Sequence, residues 1–417
     1  MAKPKLALIP AAQGTKLYSV LPSDGVGDFD FTRGSVATRI NAQGLIENVA
    51  SGQSRLDYPL IGGVQKGCPH HILEPARTNV VTYSEDFGNA SWIKQSGIVS
   101  DNQTISPNGE LNADKLIDGA TNGILRKQGI SLLASDYTFS VFAKKDDRDY
   151  LLLITSFGEG TFDLLNGVVV SSTLSSIGNI EEYKNGWYKC SLTFTATASS
   201  PFFRISTGGS QSVIIGVSGI YIWGAMLEQG SFISSYIPTT STAVTRSAET
   251  ANGAGNSTTF SDSEGVLMAE ISALANDGVS KRVSISDGGY SNRVVLDFSS
   301  VTNTINCFVI SGGVIQYNPS EVLSDITLNN KIGLKYKENN FSLFINGFEF
   351  DIDTNGIPPS GLNTLQFAEG DGGASPFYGN TKQLQYFDSA LADTQLEQLT
   401  SWQSFRDMAN GQLYTIE

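Results

Sequence analysis

Residues 331–352 read KIGLKYKENNFSLFINGFEFDI, two apolar-rich runs joined at Asn346-Gly347. An Asn-Gly pair is the mark of a two-residue type I′ turn, because both central residues must adopt positive φ. Counting outward from the turn sets Ile345 opposite Phe348, Leu343 opposite Phe350 and Phe341 opposite Ile352. One face of the hairpin is then wholly apolar, which predicts that it lies in a core. Gly312-Gly313, between CFVIS and VIQYN, predicts a second hairpin. Successive hairpins with no helical period between them imply an antiparallel sandwich.

The same signals recur upstream in YTFSVFAK (137–144), YLLLITSF (150–157), WYKCSLTFTATA (187–198), PFFRIS (201–206) and SVIIGVSGIYIWGAML (212–227). These runs alternate or are solidly apolar, and Gly, Asn, Asp and Ser separate them, the pattern of another sandwich. A Ser-, Thr-, Gly- and Ala-rich stretch over 239–259 reads as a linker between the two. Residues 1–73 carry little periodicity and many prolines and glycines. Such a segment buries little apolar area alone, so it is expected to be extended and to pack against a partner or another copy, as an anchor or oligomerisation region. The fold class is therefore all-β, with segment 1–73 followed by sandwiches over 74–249 and 250–417.

Composition agrees. A chain of 417 residues favours two or three domains, and 43 glycines with only 16 % charged residues suit turn-rich β-structure. The one helix predicted is C-terminal, where Thr394 and Glu397 fit a capping box and Leu396, Leu399, Trp402 and Phe405 fall on one face. A net charge of -14 without basic runs argues against a nucleic-acid partner. The start, MAKPKLALIP, lacks the apolar core of a signal peptide, and no stretch reaches the ~20 apolar residues of a membrane span. A soluble, cytosolically made chain without membrane insertion is expected. Cys68, Cys190 and Cys307 are odd in number and far apart, which predicts reduced thiols. In YKCSLTF, Cys190 alternates with Tyr188, Leu192 and Phe194 and should share their buried face.

Two stretches bracket the first sandwich: LEPARTNVVTYSEDF (73–87) and IYIWGAMLEQGSFISSYIPTTSTAVTRSAE (220–249). With DFDFTRGSVATRINAQGLIENVASGQSRLDYP (28–59) before them, they resemble the carbohydrate-binding-module-like sandwich of bacteriophage tail-fibre and head-fibre proteins. KIGLKYKENNFSLFINGFEFD and FYGNTKQLQYFDSALADTQLEQLTSW (377–402) resemble the concanavalin-A-like or laminin-G-like fold. The first resemblance implies a virion fibre or spike of a tailed phage, exposed on the particle, held to other virion proteins by its N-terminal segment. It also implies a host cell-surface glycan as ligand and a homotrimer as assembly.

Chemistry has few candidates. Glu349, Asp351 and Asp353 alternate along GFEFDID and would project from one face about 6.6 Å apart, within the range glycosidase carboxylates use. Concanavalin-A-like glucanases, however, carry E-x-D-x-x-E, and residue 354 is Thr, so a charged edge that discourages strand pairing is the expected role. Cys68-Pro69-His70-His71 holds both histidines of the chain, but adjacent histidines diverge in an extended chain and the spacing does not suit zinc. With two histidines no Ser-His-Asp set can be assembled. The Asp-rich loops 144–149, 286–292 and 368–380 lack the register of a calcium loop. No cofactor, no metal and no enzymatic activity are expected. Sugar rings stack on aromatic faces, and Trp92, Tyr150 and Phe157 in the first sandwich and Tyr290, Phe377 and Tyr378 in the second sit near predicted strand ends as candidate platforms. Trp187 and Trp223 lie within strands and are expected in the core.

Overall fold

The computed structural model describes residues 3–173, 176–208, 215–370 and 373–402. Strand pairs with strand antiparallel throughout them, and the one α-helix is Asp393–Thr400. The all-β, two-sandwich reading holds.

The first sandwich packs two six-stranded sheets. One runs Gly97–Ile105, Leu111–Asp118, Gly219–Gln229, Ser135–Lys145, Trp187–Ala196, Ile177–Tyr183; the other runs Ile93–Lys94, Ile124–Lys127, Phe203–Gly208, Tyr150–Thr155, Gly158–Asp163, Val168–Ser172. Alternation decides which side chains meet between them: Phe139, Leu151, Leu153, Leu192, Phe203 and Ile205 are all fully buried. Cys190 joins that core as its period required. Trp187 and Trp223 are buried in a smaller cluster with Phe142 and Tyr236.

In the second sandwich a seven-stranded sheet that includes Lys281–Ser286, Arg293–Phe298 and Phe308–Ser311 faces a larger sheet. That larger sheet is built from both ends of the chain. The closing strand Gly379–Phe387 lies between Leu6–Gln13 on one side and Glu264–Ala273 on the other. Beyond Leu6–Gln13 the sheet continues through Lys16–Leu21 and Phe29–Thr32 to Thr250–Asn252. Leu6, Leu8, Leu17, Phe29 and Phe31 are core residues here, beside Leu267, Tyr336 and Leu384. The packing expected of residues 1–73 is thus corrected: they find their partner within the chain. The physical reason is the short alternations LAL, KLYSVL and FDFT, each too brief to stand alone but sufficient to extend an existing edge.

The stretch read as a linker is likewise structured. Val244–Arg246 pairs with Arg77–Asn79, and Thr250–Asn252 pairs with Phe29–Thr32. Between them Arg246 and Glu249 are buried, and they enter a cluster with Arg33, Arg55 and Glu74 in which each side chain is at most 2 % exposed. Arg33 Nη1 donates to Glu249 at 2.7 Å, Arg55 Nη2 to Glu74 at 2.7 Å and also to Glu249, and Arg246 Nη1 lies 2.9 Å from Glu74. Three further guanidinium donors go to main-chain oxygens of Thr38, Ala50 and Pro75, while among the described residues the buried Arg246 Nε has no hydrogen-bond partner. Burial alone would raise the Glu74 carboxyl, but Arg246 and Arg55 hold it well below the usual carboxylate range. The five residues come from segments 28–59, 73–87 and 220–249.

The Asn346-Gly347 turn forms with φ of 51° and 91°, and Ile345 faces Phe348 as counted. Phe344 meets Glu349 in the same register; beyond that pair a bulge intervenes, so Leu343 meets Asp351 and Phe341 meets Asp353. Phe348, Phe350 and Ile352 are not core, because the strand Phe348–Asp353 is the sheet's edge, and the three are 68 %, 41 % and 56 % exposed. One extra residue shifts the two-residue period, which turn chemistry alone does not reveal. Gly312-Gly313 turns the hairpin predicted there.

The helix begins at Asp393, and Gln395, not Glu397, closes its first turn by accepting the Ala392 N–H at 3.1 Å. Leu396 and Leu399 pack on Val266, Met268 and Phe344, Lys331 sits 4.6 Å over the Trp402 ring, and Phe405 lies outside the described residues.

Two outcomes follow. Glu249→Ala leaves Arg33 and Arg55 buried without their shared carboxylate and is expected to lose about 3–5 kcal/mol in chemical denaturation; a loss under about 1 kcal/mol would mean that the cluster does not hold the fold. His70 and His71, on the strand His70–Leu73 that pairs with the closing strand, are held neutral by burial, with values lowered to about 3 and about 4. Unfolded histidines take up protons from about pH 6.5 downward. Stability is therefore present above that pH and falls as the pH drops toward 4. Burial also raises Asp57, beside His70, to about 6, which offsets part of the loss. Removing one histidine as His71→Asn should flatten that decline in denaturation midpoints measured from pH 7 to 4.

Candidate functional site

The second sheet of the first sandwich turns one face outward. Because side chains alternate, burying Leu125, Leu151, Leu153, Phe203 and Ile205 forces Arg126, Leu152, Ile154, Arg204 and Ser206 onto the other side. Register then sets them in rows. Ile93 faces Arg126, Arg126 faces Arg204, Arg204 faces Ile154, and Ile154 faces Glu159. The next row runs Ile124, Ser206, Leu152 and Thr161. Tyr150 stands on the same face, half-buried.

Two guanidinium groups are thus direct cross-strand neighbours. Like charges in that position repel and cost stability. Both stack on one ring, with Arg204 4.4 Å and Arg126 5.4 Å from the centroid of Phe202. The Nε of each is covered and has no hydrogen-bond partner. Among the described residues neither arginine forms an ion pair, whereas Arg33, Arg39, Arg55, Arg77, Arg148, Arg246, Arg282 and Arg293 all do. Two uncompensated positive charges, an aromatic ring, aliphatic walls and hydroxyls on a rigid sheet can receive an anion attached to a partly apolar, hydroxyl-rich body.

The six aromatic candidates separate. Tyr150 belongs to this face. Phe157 lies at the adjoining hairpin end but stacks inward on Phe194 at 5.4 Å. Trp92 is 1 % exposed, packs on Phe87 and donates Nε1–H to the Tyr83 carbonyl, so it offers no free face. Phe377, also 1 % exposed, is core between Phe298 and Phe367, and this too corrects the expectation. Both rings turn inward and bury their apolar area in the core clusters. Tyr378 is half-buried. Tyr290, 45 % exposed, is an open ring, resting on Arg293 at 5.3 Å and against Gly370, so loops 286–292 and 368–370 do converge. There the arginines are neutralised, Arg282 by Asp297 and Arg293 by Glu369.

The other candidates do not assemble. Glu349 lies opposite Phe344, on the helix side, and the bulge after it puts Asp351 and Asp353 opposite Leu343 and Phe341, on the core side, so the three carboxylates do not share a face. Cys68 is exposed while His70 and His71 are buried in a strand. Among the described residues no three His, Cys, Asp or Glu side chains converge as a metal site would need. A cleft of about 280 Å³ lies where segment 1–73 meets both sandwiches, with Asp57, His70, Tyr183, Lys189 and Asn380 in its walls. Lys189 is committed there to the Ser234 carbonyl at 2.7 Å.

No protein-family model and no curated protein sequence matches the chain. Among solved structures it is similar to the carbohydrate-binding module, CBM40, of the Ruminococcus gnavus IT-sialidase bound to α2,3-sialyllactose, at 18 % identity over 36 % of this chain and 88 % of that one, with a TM-score of 0.31. Mouse laminin α1 domains LG4-5 are similar at 8 % identity, 80 % and 96 % coverage and a TM-score of 0.24. Trypanosoma rangeli sialidase in complex with sialic acid is similar at 8 % identity, 93 % and 78 % coverage and a TM-score of 0.30. These are distant likenesses.

The strand PFFRIS was legible as sequence, and its alternation already turned Arg204 outward; that Arg126, far away in the chain, lies opposite was not. If the pair is there to meet a ligand and not to hold the sheet, Arg126→Gln or Arg204→Gln should leave stability unchanged or raise it by about 0.2–1 kcal/mol in urea unfolding. A loss above about 2 kcal/mol would assign both residues to the fold.

Proposed function

We propose that the chain is a non-enzymatic glycan-binding protein whose first sandwich engages acidic sugars through Arg126 and Arg204. The observation that carries this reading is the cross-strand arginine pair, which among the described residues has no carboxylate partner, seated on Phe202 and bordered by Tyr150 and Leu152. A carboxylate or sulfate on a sugar relieves the repulsion by bridging both guanidinium groups, the hydrophobic face of the pyranose covers Phe202, and hydroxyls meet Thr161. Nothing in this arrangement activates a nucleophile or places an acid against a leaving group, so binding without cleavage is the activity it supports.

The finer assignment is to an exposed fibre or spike of a tailed-phage particle, acting on host surface glycans as a homotrimer. It rests on the sequence resemblance of segments 28–59, 73–87 and 220–249. In a trimer, weak single sites would act together at high effective concentration. Segment 1–73, whatever else it contacts in a particle, carries strands of the second sandwich.

The test is a glycan array of sialylated, uronic-acid-containing and sulfated oligosaccharides beside neutral counterparts, followed by calorimetry on the hits. Acidic glycans should bind and be recovered uncut, and the double variant Arg126→Ala, Arg204→Ala should bind at least about tenfold more weakly. Equal binding by the double variant, or no acidic hit, would overturn the reading and leave an architectural role; a shortened glycan would overturn its non-enzymatic part. Antibody to the chain should decorate phage particles in negative stain.

A further inference from the structure

The arginine pair sits off-centre on its sheet. Arg126 and Arg204 are on the second and third of six strands, so the sheet ends one strand beyond Arg126, at Ile93–Lys94, and runs three strands further beyond Arg204. A glycan longer than the unit held by the pair therefore finds its floor on the Arg204 side. Register states what that floor offers. Ile154 and Leu152 come first, both half-buried, and Glu159 and Thr161 follow on the next strand. Phe162, of opposite parity, points into the core, so Glu159 shares the outer face with Arg204. Two strand spacings, roughly 9.5 Å, separate the two residues.

Further along the same strand, Asp163 spends its carboxylate on its own turn, accepting from the Leu165 and Asn166 main-chain N–H groups at 2.8 and 3.1 Å and from Asn166 Nδ2 at 2.7 Å. Glu159 is exposed, and among the described residues its carboxylate has neither an ion pair nor a hydrogen bond. The face thus has an unanswered positive end and an unanswered negative end, with an aliphatic strip between them. When an acidic sugar lies with its ring on Phe202 and its charge on the arginine pair, the neighbouring unit crosses Ile154 and Leu152 and brings its substituents to Glu159. A second acid there meets a like charge, whereas an ammonium group finds its counter-charge. We propose that this face selects a zwitterionic saccharide, an acidic sugar joined to a sugar with a free amine, and that Glu159 is the residue that separates it from a uniformly anionic chain. That selection rests on the acidic-sugar reading of Arg126 and Arg204 and adds the unit beside them.

The probe is a disaccharide of glucuronic acid and glucosamine, compared with its N-acetylated form. Both are titrated with the full chain by ligand-observed NMR at about pH 6, where such an amine holds its proton. The free-amine form should bind about threefold to fivefold more tightly, the range of an exposed ion pair. Glu159→Gln should bring the two affinities level, and Glu159→Lys should reverse their order. Glu110→Gln, which removes an exposed carboxylate from the turn before Leu111–Asp118 on the opposite sheet, should leave the preference intact. The two forms are compared within each variant, so a general loss of affinity or stability does not imitate the effect. Equal binding of both forms by the unaltered chain, a preference that survives Glu159→Gln, or one that disappears in Glu110→Gln would overturn the selection by Glu159 and leave the arginine site standing. Binding of neither form, or binding unweakened by Arg126→Ala with Arg204→Ala, would overturn the acidic-sugar reading and the selection with it.

Discussion

The buried cluster of Arg33, Arg55, Arg246, Glu74 and Glu249 is the constraint on which the architecture depends. Its members come from the N-terminal segment, from the entry to the first sandwich and from the passage into the second. Removing five charges from water is expensive, and the cost is met only when the geometry is closed and the leftover donors find carbonyls. Here most of them do, through Thr38, Ala50 and Pro75, and among the described residues the Arg246 Nε is left without a partner. An arrangement in which the segment before residue 73 came away would strand charge in an apolar setting, so electrostatics binds the three parts to one another, and a shared sheet also joins the N-terminal segment to the second sandwich.

That shared sheet follows the same logic. Leu6–Gln13 and Gly379–Phe387 are neighbours although they lie near opposite ends of the described chain. The second core therefore cannot close until almost the whole chain is present, since Leu6, Phe29 and Leu384 belong to one cluster. Contacts of such sequence separation make folding slow relative to a helical protein of equal size.

The two sandwiches carry opposite electrostatics on comparable outer faces. In the second, Arg282 and Arg293 flank Phe308 and are answered by Asp297 and Glu369. In the first, Arg126 and Arg204 flank Phe202 and are answered by nothing among the described residues. Fold alone would not separate them, and architecture of this type serves many ligands. The difference lies in which residues the register sets side by side.

The sequence by itself determined the local facts: antiparallel strands of period two, the turns at Asn346-Gly347 and Gly312-Gly313, the buried side of WYKCSLTF and a short terminal helix. Each depends on neighbours a few residues away, whose steric preferences are written in the residues themselves. Three things were decided only by tertiary structure. The strand Phe348–Asp353 became an open edge whose bulge after Glu349 splits its alternation between two faces, the segment 1–73 found its partner in the closing strand, and Arg126 came to lie beside Arg204. Pairing between distant strands has no local signature, because it is chosen by which edges remain free once every buried charge and apolar side chain has been satisfied.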